Sequence, residues 1–95
     1  MKVVISESER KGKRLKATFT SDGKKTTTHF GQSGSSTFLE HKDEKKRAAY
    51  LARHRVNENF DDPKTAGALA SRLLWGPHTT FQANLKAFKQ RFKMT

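Results

Sequence analysis

Hydrophobic and polar residues alternate along the first third of the chain and then switch to helical spacing. Leu15, Ala17 and Phe19 alternate with Arg14, Lys16, Thr18 and Thr20, a period of two that predicts a half-buried strand. Asp22-Gly23 follows, a dipeptide suited to a two-residue hairpin turn. Such a turn pairs Ser21 with Lys24, Phe19 with Thr26, Ala17 with Thr28 and Leu15 with Phe30. In that register Leu15, Ala17, Phe19, Thr26, Thr28 and Phe30 share a core-like face. Arg14, Lys16, Thr18, Lys25, Thr27 and His29 share a basic, polar one. Val3-Val4-Ile5 predicts a further short strand, with a turn at Glu9-Arg10-Lys11-Gly12.

Beyond the turn-forming run Gly31-Gln32-Ser33-Gly34-Ser35-Ser36 the chain reads as helix. Thr37-Phe38-Leu39-Glu40 has capping-box spacing. Asp43-Glu44 is an alternative start, with acids suited to a first helical turn. This helix extends to Val56 or Asn57, with Arg47, Tyr50, Leu51 and His54 along one face. Asn57-Glu58-Asn59-Phe60-Asp61 breaks the pattern, and Asp62-Pro63 predicts a second N-cap with proline at the first helical position. Ala66, Leu69, Ala70, Leu73 and Leu74 then form a core stripe, ended by Trp75-Gly76-Pro77. Thr79-Thr80-Phe81-Gln82 repeats the capping-box form, and Phe81, Leu85, Phe88 and Phe92 are the stripe of a last helix. The short Gly-Pro turn also admits helix-turn-helix docking, with Gln82, Lys86, Lys89 and Gln90 outward.

The fold predicted is α+β: an N-terminal antiparallel β-hairpin or three-stranded meander, then three α-helices. Leu69, Leu73, Phe81, Leu85 and Phe88 pack on Leu15, Phe19 and Phe30. At 95 residues the chain makes one domain, spanning residues 1–95. Seven Phe, one Trp and one Tyr supply much of the core area in a chain that is 33% hydrophobic.

Charge changes the picture most. Twenty Lys+Arg against nine Asp+Glu give a formal net charge of +11. Such an excess attracts phosphate-rich partners, through counterion release when the partner is nucleic acid. With no cysteine, disulfides, thiolate metal sites and thiol catalysis are excluded. The apolar run of Val3-Val4-Ile5 is too short for a signal peptide, and no stretch reaches membrane-spanning length. The expected setting is the interior of a cell or of a particle, without secretion.

Catalytic signatures are missing. Gly31 and Gly34 fit neither dinucleotide nor Walker spacing. There is no Gly-x-Ser-x-Gly elbow. His41-Lys42-Asp43 shares letters with the phospholipase D signature but not its spacing. No two of His29, His41, His54 and His78 stand at i, i+4, so no metal or other cofactor is expected. Beside Tyr50, His54 reads as a hydrogen-bonded core histidine. Asp43-Glu44 and Asp61-Asp62 read as caps rather than acid–base pairs. Trp75 and Phe60, at helix boundaries, read as plugs for the ends of the core, with base stacking as the alternative.

Three basic groups remain as candidate phosphate contacts. The outer hairpin face carries Arg14, Lys16, Lys25 and His29. The first long helix carries Lys45, Lys46, Arg47, Arg53 and Arg55, and Glu40 and Glu44 stand there as like-charged i, i+4 neighbours. The last helix carries Lys86, Lys89, Arg91 and Lys93, which also complement the dipole at its C-terminus. Solvated helix and sheet faces use the same residue types.

The run Phe30-Gly31-Gln32-Ser33-Gly34, with Phe38, His41-Lys42-Asp43, Lys46-Arg47, Tyr50 and Arg53-His54, resembles a family of small basic proteins. So does Asn57-Glu58-Asn59-Phe60, with Asp62-Pro63-Lys64-Thr65-Ala66-Gly67-Ala68-Leu69 and Leu74-Trp75. Those proteins occur in large double-stranded DNA viruses of algae and protists and in marine phages. The resemblance reaches from the hairpin to Phe92 and implies a viral source and a place in the virion or host cell. It supplies no catalytic residue. The expected function is non-catalytic nucleic-acid binding, DNA rather than RNA, with no membrane and no small-molecule substrate. The alternative is a minor capsid or other virion protein whose basic faces meet acidic capsid surfaces.

Overall fold

The computed structural model describes residues 1–34, 36–56 and 58–95; Ser35 of the turn-forming run and the predicted Asn57 boundary lie outside them. β2 (Lys13–Ser21) is the central strand of a three-stranded antiparallel sheet, between β1 (Lys2–Glu7) and β3 (Lys24–Gln32). Its pairing with β3 sets Phe19 opposite Thr26, Ala17 opposite Thr28 and Leu15 opposite Phe30, the register that the alternation predicts. Asp22 and Gly23 have φ of 51° and 79°. Both turn positions thus need the left-handed region, which glycine enters freely and aspartate tolerates. On the other side β1 sets Val3 opposite Phe19 and Ile5 opposite Ala17. Val3, Ala17, Phe19 and Phe30 are consequently buried on one face.

The exposed edge of β1 is partly closed by the chain's last residues. Val3 N–H donates to the Thr95 carbonyl (3.0 Å), and Thr95 N–H donates to that of Met1 (3.1 Å). Met94 enters the core beside them. An edge paired this way has fewer free backbone groups to recruit another strand.

Both of the alternative helix starts are used, by separate helices. α1 (Phe38–His41) is a single turn whose capping box joins Thr37 and Glu40. It ends at Lys42, which turns into the left-handed region (φ 54°). Asp43 then caps α2 (Glu44–Arg55), its carboxylate accepting from Lys45 N–H (2.9 Å) and Lys46 N–H (3.3 Å). Glu40 and Glu44 therefore sit on different helices, so their predicted i, i+4 repulsion along one helix does not arise.

Two predicted caps move. The Asp62 carboxylate accepts from Lys64 N–H (3.1 Å) in a turn, and α3 (Ala66–Leu69) begins only after Thr65, whose hydroxyl accepts from Ala68 N–H (3.1 Å). Pro63 is thus a turn residue, not the first of a helix. Thr80 rather than Thr79 caps α4 (Phe81–Arg91), accepting from Ala83 N–H (3.2 Å). Between them α3 continues as a π-helical turn, Ala70–Leu74, closed by Trp75 N–H to the Ala70 carbonyl (3.1 Å). The wider turn keeps Leu69, Ala70, Leu73 and Leu74 all buried, together with Ser71. Among the described residues the sheet is thus followed by the three longer helices that the apolar pattern predicts, with α1 as an additional single turn before them.

The core lies between the inner face of the sheet and these helices: Phe19 and Phe30 meet Leu69, Leu73, Leu74 and Phe88, with Leu15, Phe81 and Leu85 packed against them. A polar residue sits at its centre. Asn84 is 1% exposed. Its amide donates to the carbonyls of Leu73 and His78 (3.1 Å each) and accepts from His78 N–H (2.9 Å). It locks the Trp75–His78 turn onto α4, and all these polar groups are satisfied.

Candidate nucleic-acid interface

The outer face of the sheet is held largely by internal contacts. Lys16 pairs with Glu9 (2.8 Å), and the His29 Nδ1 hydrogen-bonds the Ser8 hydroxyl (2.7 Å). Both partners come from the loop that joins β1 to β2. Arg14 donates to Glu40 of α1 at 2.9 Å. The cations keep the carboxyls of Glu9 and Glu40 below the usual range, chiefly through these hydrogen bonds. Among the predicted contacts on this face, Lys25 alone is exposed and makes no ion pair with a described residue.

On the helices the balance reverses. Lys45, Lys46, Arg53 and Arg55 of α2 are exposed and pair with no acid among the described residues. Arg47 is different. Its Nε donates to the carbonyls of Trp75 (3.0 Å) and Gly76 (3.1 Å), so it fixes α2 to the turn after the π-helical segment. Lys45 and Lys46 occupy the first turn of α2, at the positive end of the helix dipole, where a cation is disfavoured. Neither the dipole nor a partner accounts for their placement.

α4 carries a shallow groove of about 400 Å³, walled by Gln82, Lys86, Lys89, Gln90 and Lys93. The three lysines recur at spacings of three and four residues, so they stand together and repel one another. Arg91 does not join them. It pairs with Asp61 at 2.6 Å, which Arg72 also approaches at 3.3 Å. Arg91 chiefly holds the Asp61 carboxyl below its ordinary range.

The three predicted surfaces thus separate into two sets. The sheet packs its inner face on the helices, so its outer face lies across the core from α4. By contrast, α2 and α4 are both anchored to the Trp75–His78 turn, through Arg47 and Asn84.

The same turn carries a feature that residue types alone do not reveal. Trp75 stacks on Tyr50 with ring centroids 4.1 Å apart and planes 4° apart, and Tyr50 stacks in turn on His54 (4.1 Å, 30°). His41 lies against Trp75 at 5.1 Å. Trp75 does pack against the core, as expected of a plug, but its ring also forms part of this stack. His54 is only half-buried, and its Nδ1 faces the Glu58 carboxylate at 3.3 Å. Burial, and then the Glu58 charge, raise the Tyr50 hydroxyl above its usual range. The i, i+4 spacing of Tyr50 and His54 was the signal available in the sequence; the joining of Trp75 was not. Phe60 is half-buried, and its carbonyl accepts from Arg72 Nε at 2.8 Å.

Among the described residues no three His, Cys, Asp or Glu side chains gather as a metal-holding group, and no helix is long and apolar enough to cross a membrane. A model described as a family of unknown function, DUF5754, matches residues 3–54, from β1 to the last turn of α2. An uncharacterized protein of Acanthamoeba polyphaga mimivirus is 32% identical over 78 residues, covering 75% of this chain and 78% of that protein. No solved structure gives a significant match. The chain therefore belongs to the DUF5754 family and has a viral relative.

Proposed function

We propose that this protein binds nucleic acid without catalysis, and that α2 and α4 make the phosphate contacts. The observation that carries the reading is that Lys45, Lys46, Lys86, Lys89 and Lys93 form no ion pair among the described residues. Several acids are taken up by other groups: Glu9, Glu40 and Asp61 hold other cations, Glu44 lies 3.9 Å from Arg47, and Asp43 caps α2. A cluster of like charges, some at the unfavourable end of a helix, raises the energy of the free protein. A polyanion relieves that repulsion and releases its own counterions. Duplex DNA is the partner proposed, in keeping with the resemblance to proteins of DNA viruses, and the virion or infected cell is the setting.

Titration of duplex DNA at a series of salt concentrations tests this. The logarithm of the binding constant should fall linearly with the logarithm of salt, with a slope of about −0.9 per phosphate contact. Absence of binding at low salt overturns the reading. Stoichiometric co-purification with an acidic capsid protein, with no DNA retention, would assign the same cations to a protein surface instead.

A further inference from the structure

Two guanidiniums converge on one carboxylate oxygen at the far side of α4. Arg91 and Arg72 both donate to Asp61 Oδ1, at 2.6 and 3.3 Å. Arg91 follows Lys89 by two residues, about half a turn round the helix, so this place is separate from the lysine groove. Among the described residues no other acid pairs with either arginine. The neighbouring Asp62 carboxylate accepts from Lys64 N–H instead. Two cations therefore share one anion, and positive charge is left over where they meet.

Groups other than Asp61 hold both arginines in place. Arg72 Nε donates to the Phe60 carbonyl (2.8 Å), and its guanidinium lies over the Phe92 ring, 5.4 Å from the centroid. Arg91 lies over the same ring at 5.7 Å. The face of an aromatic ring attracts a cation. One ring and one carbonyl thus orient the two forks before any ligand arrives, which lowers the cost of ordering them on binding. Burial, and then the charge of Arg91, lower the Arg72 guanidinium from its ordinary value, a sign of the same crowding of positive charge. Asp61 is the loose member. Its side chain is 70% exposed, and exposed ion pairs contribute little each, so a stronger anion displaces it at small cost.

We propose that Arg72 and Arg91 form a binding site for a terminal phosphate, a phosphate monoester, and that Asp61 occupies its seat in the free protein. Asp61 offers the two arginines a single shared oxygen and a single charge. A monoester offers three acceptor oxygens and close to two charges, so each guanidinium takes its own acceptor and the surplus charge is neutralised. A backbone diester, with one charge and two free oxygens, fits less well. A small phosphomonoester and the phosphorylated end of a strand present the same group. The assignment goes beyond the phosphate-contact reading, since it uses another face of α4 and needs no polymer.

The side-chain Nε–H signals of Arg72 and Arg91 in nuclear magnetic resonance spectra of the full chain report on the site directly. Titration with methyl phosphate at constant ionic strength should shift both signals saturably, with a midpoint on the order of millimolar. Dimethyl phosphate, the diester, should bind about tenfold or more weakly. Asp61→Asn should tighten methyl phosphate binding by about three- to tenfold, because it removes two exposed pairs that compete with the ligand. Arg91→Gln, followed at the Arg72 signal, should weaken it by about tenfold. Arg72→Lys keeps the charge but loses the fork, and should weaken it as well. A single-stranded oligonucleotide with and without a 5′-phosphate forms the second arm. A phosphorylated end that binds more tightly than methyl phosphate assigns the site to strand ends, and one that binds equally assigns it to the phosphate group alone. Three results overturn the proposal: signals that stay unmoved with the fold intact, equal binding of the diester, or no gain from Asp61→Asn. Charge reversal at Lys45, Lys46, Lys86 and Lys89 should leave methyl phosphate binding at Arg72 and Arg91 in place, so the two readings fail separately.

Discussion

The outer face of the sheet and the exposed faces of α2 and α4 carry the same residue types with opposite fates. On the sheet, Lys16 and His29 are satisfied by Glu9 and Ser8 of their own hairpin loop, and Arg14 is satisfied by Glu40. On the helices, Lys45, Lys46, Lys86, Lys89 and Lys93 form no ion pair among the described residues. The lesson is that net charge says little about a binding surface until the internal partners are removed from it. A cation already paired must give up that contact to bind a phosphate, whereas an unpaired one exchanges only water and counterions. Exposed pairs are individually weak, so it is the systematic difference between the two regions that matters.

The largest expected effect breaks the comparison directly. The variant Lys45→Glu/Lys46→Glu/Lys86→Glu/Lys89→Glu should lower duplex DNA affinity by about a hundredfold or more, and should flatten the salt slope by about 3 to 4. Lys16→Ala and Arg14→Ala should each change affinity by less than about twofold, because those cations are already engaged. Fluorescence anisotropy with a labelled duplex measures both. If the sheet variants proved as damaging as the helix variants, the division between the regions would be wrong.

Next comes the anchor that brings α2 and α4 to one turn. Asn84→Ala leaves the Leu73 and His78 carbonyls and the His78 N–H without their partner. It should cost about 2 to 3 kcal/mol in urea unfolding. A smaller effect is expected from Thr80→Ala, about 1 kcal/mol, through loss of the α4 cap. A cost near zero for Asn84→Ala would show that the turn does not depend on it.

The smallest effect concerns pH. Asp61 has a carboxyl lowered in the folded protein, chiefly by Arg91. Its contribution to stability is therefore complete above the ordinary value of 3.8 and is lost as pH falls through the lowered folded value. Asp61→Asn should remove that part of the acid dependence while leaving stability at neutral pH little changed, since the pair is exposed. Thermal melts across the acid range compare the two proteins.

The sheet was readable from its own residues. The alternation around Asp22-Gly23 fixes the register, because a slip of one residue would turn Ala17 and Phe19 to solvent. The helices were less readable. Their apolar stripes are correct, yet Asp62-Pro63 and Thr79 offered cap chemistry that the fold does not use, because packing of Leu69 and Leu73 decides where α3 begins and ends. The π-helical turn has no local signature here: it keeps Ala70 and Leu74 buried and sets the phase at which Trp75 meets Tyr50. The basic residues were visible individually, but their partners Glu9, Glu40 and Asp61 are known only once the chain is folded. The arginine pair needed the fold as well, since Asp61, Arg72 and Arg91 come from separate parts of the chain.

The most direct test of the central claim is the salt dependence of duplex DNA binding, compared between the native chain and the Lys45/Lys46/Lys86/Lys89 charge-reversal variant. A steep linear loss of affinity with salt in the native chain, largely abolished in a variant of unchanged fold, is the predicted result. Equal affinity and equal slope in the two proteins, or no binding by the native chain at low salt, would contradict it.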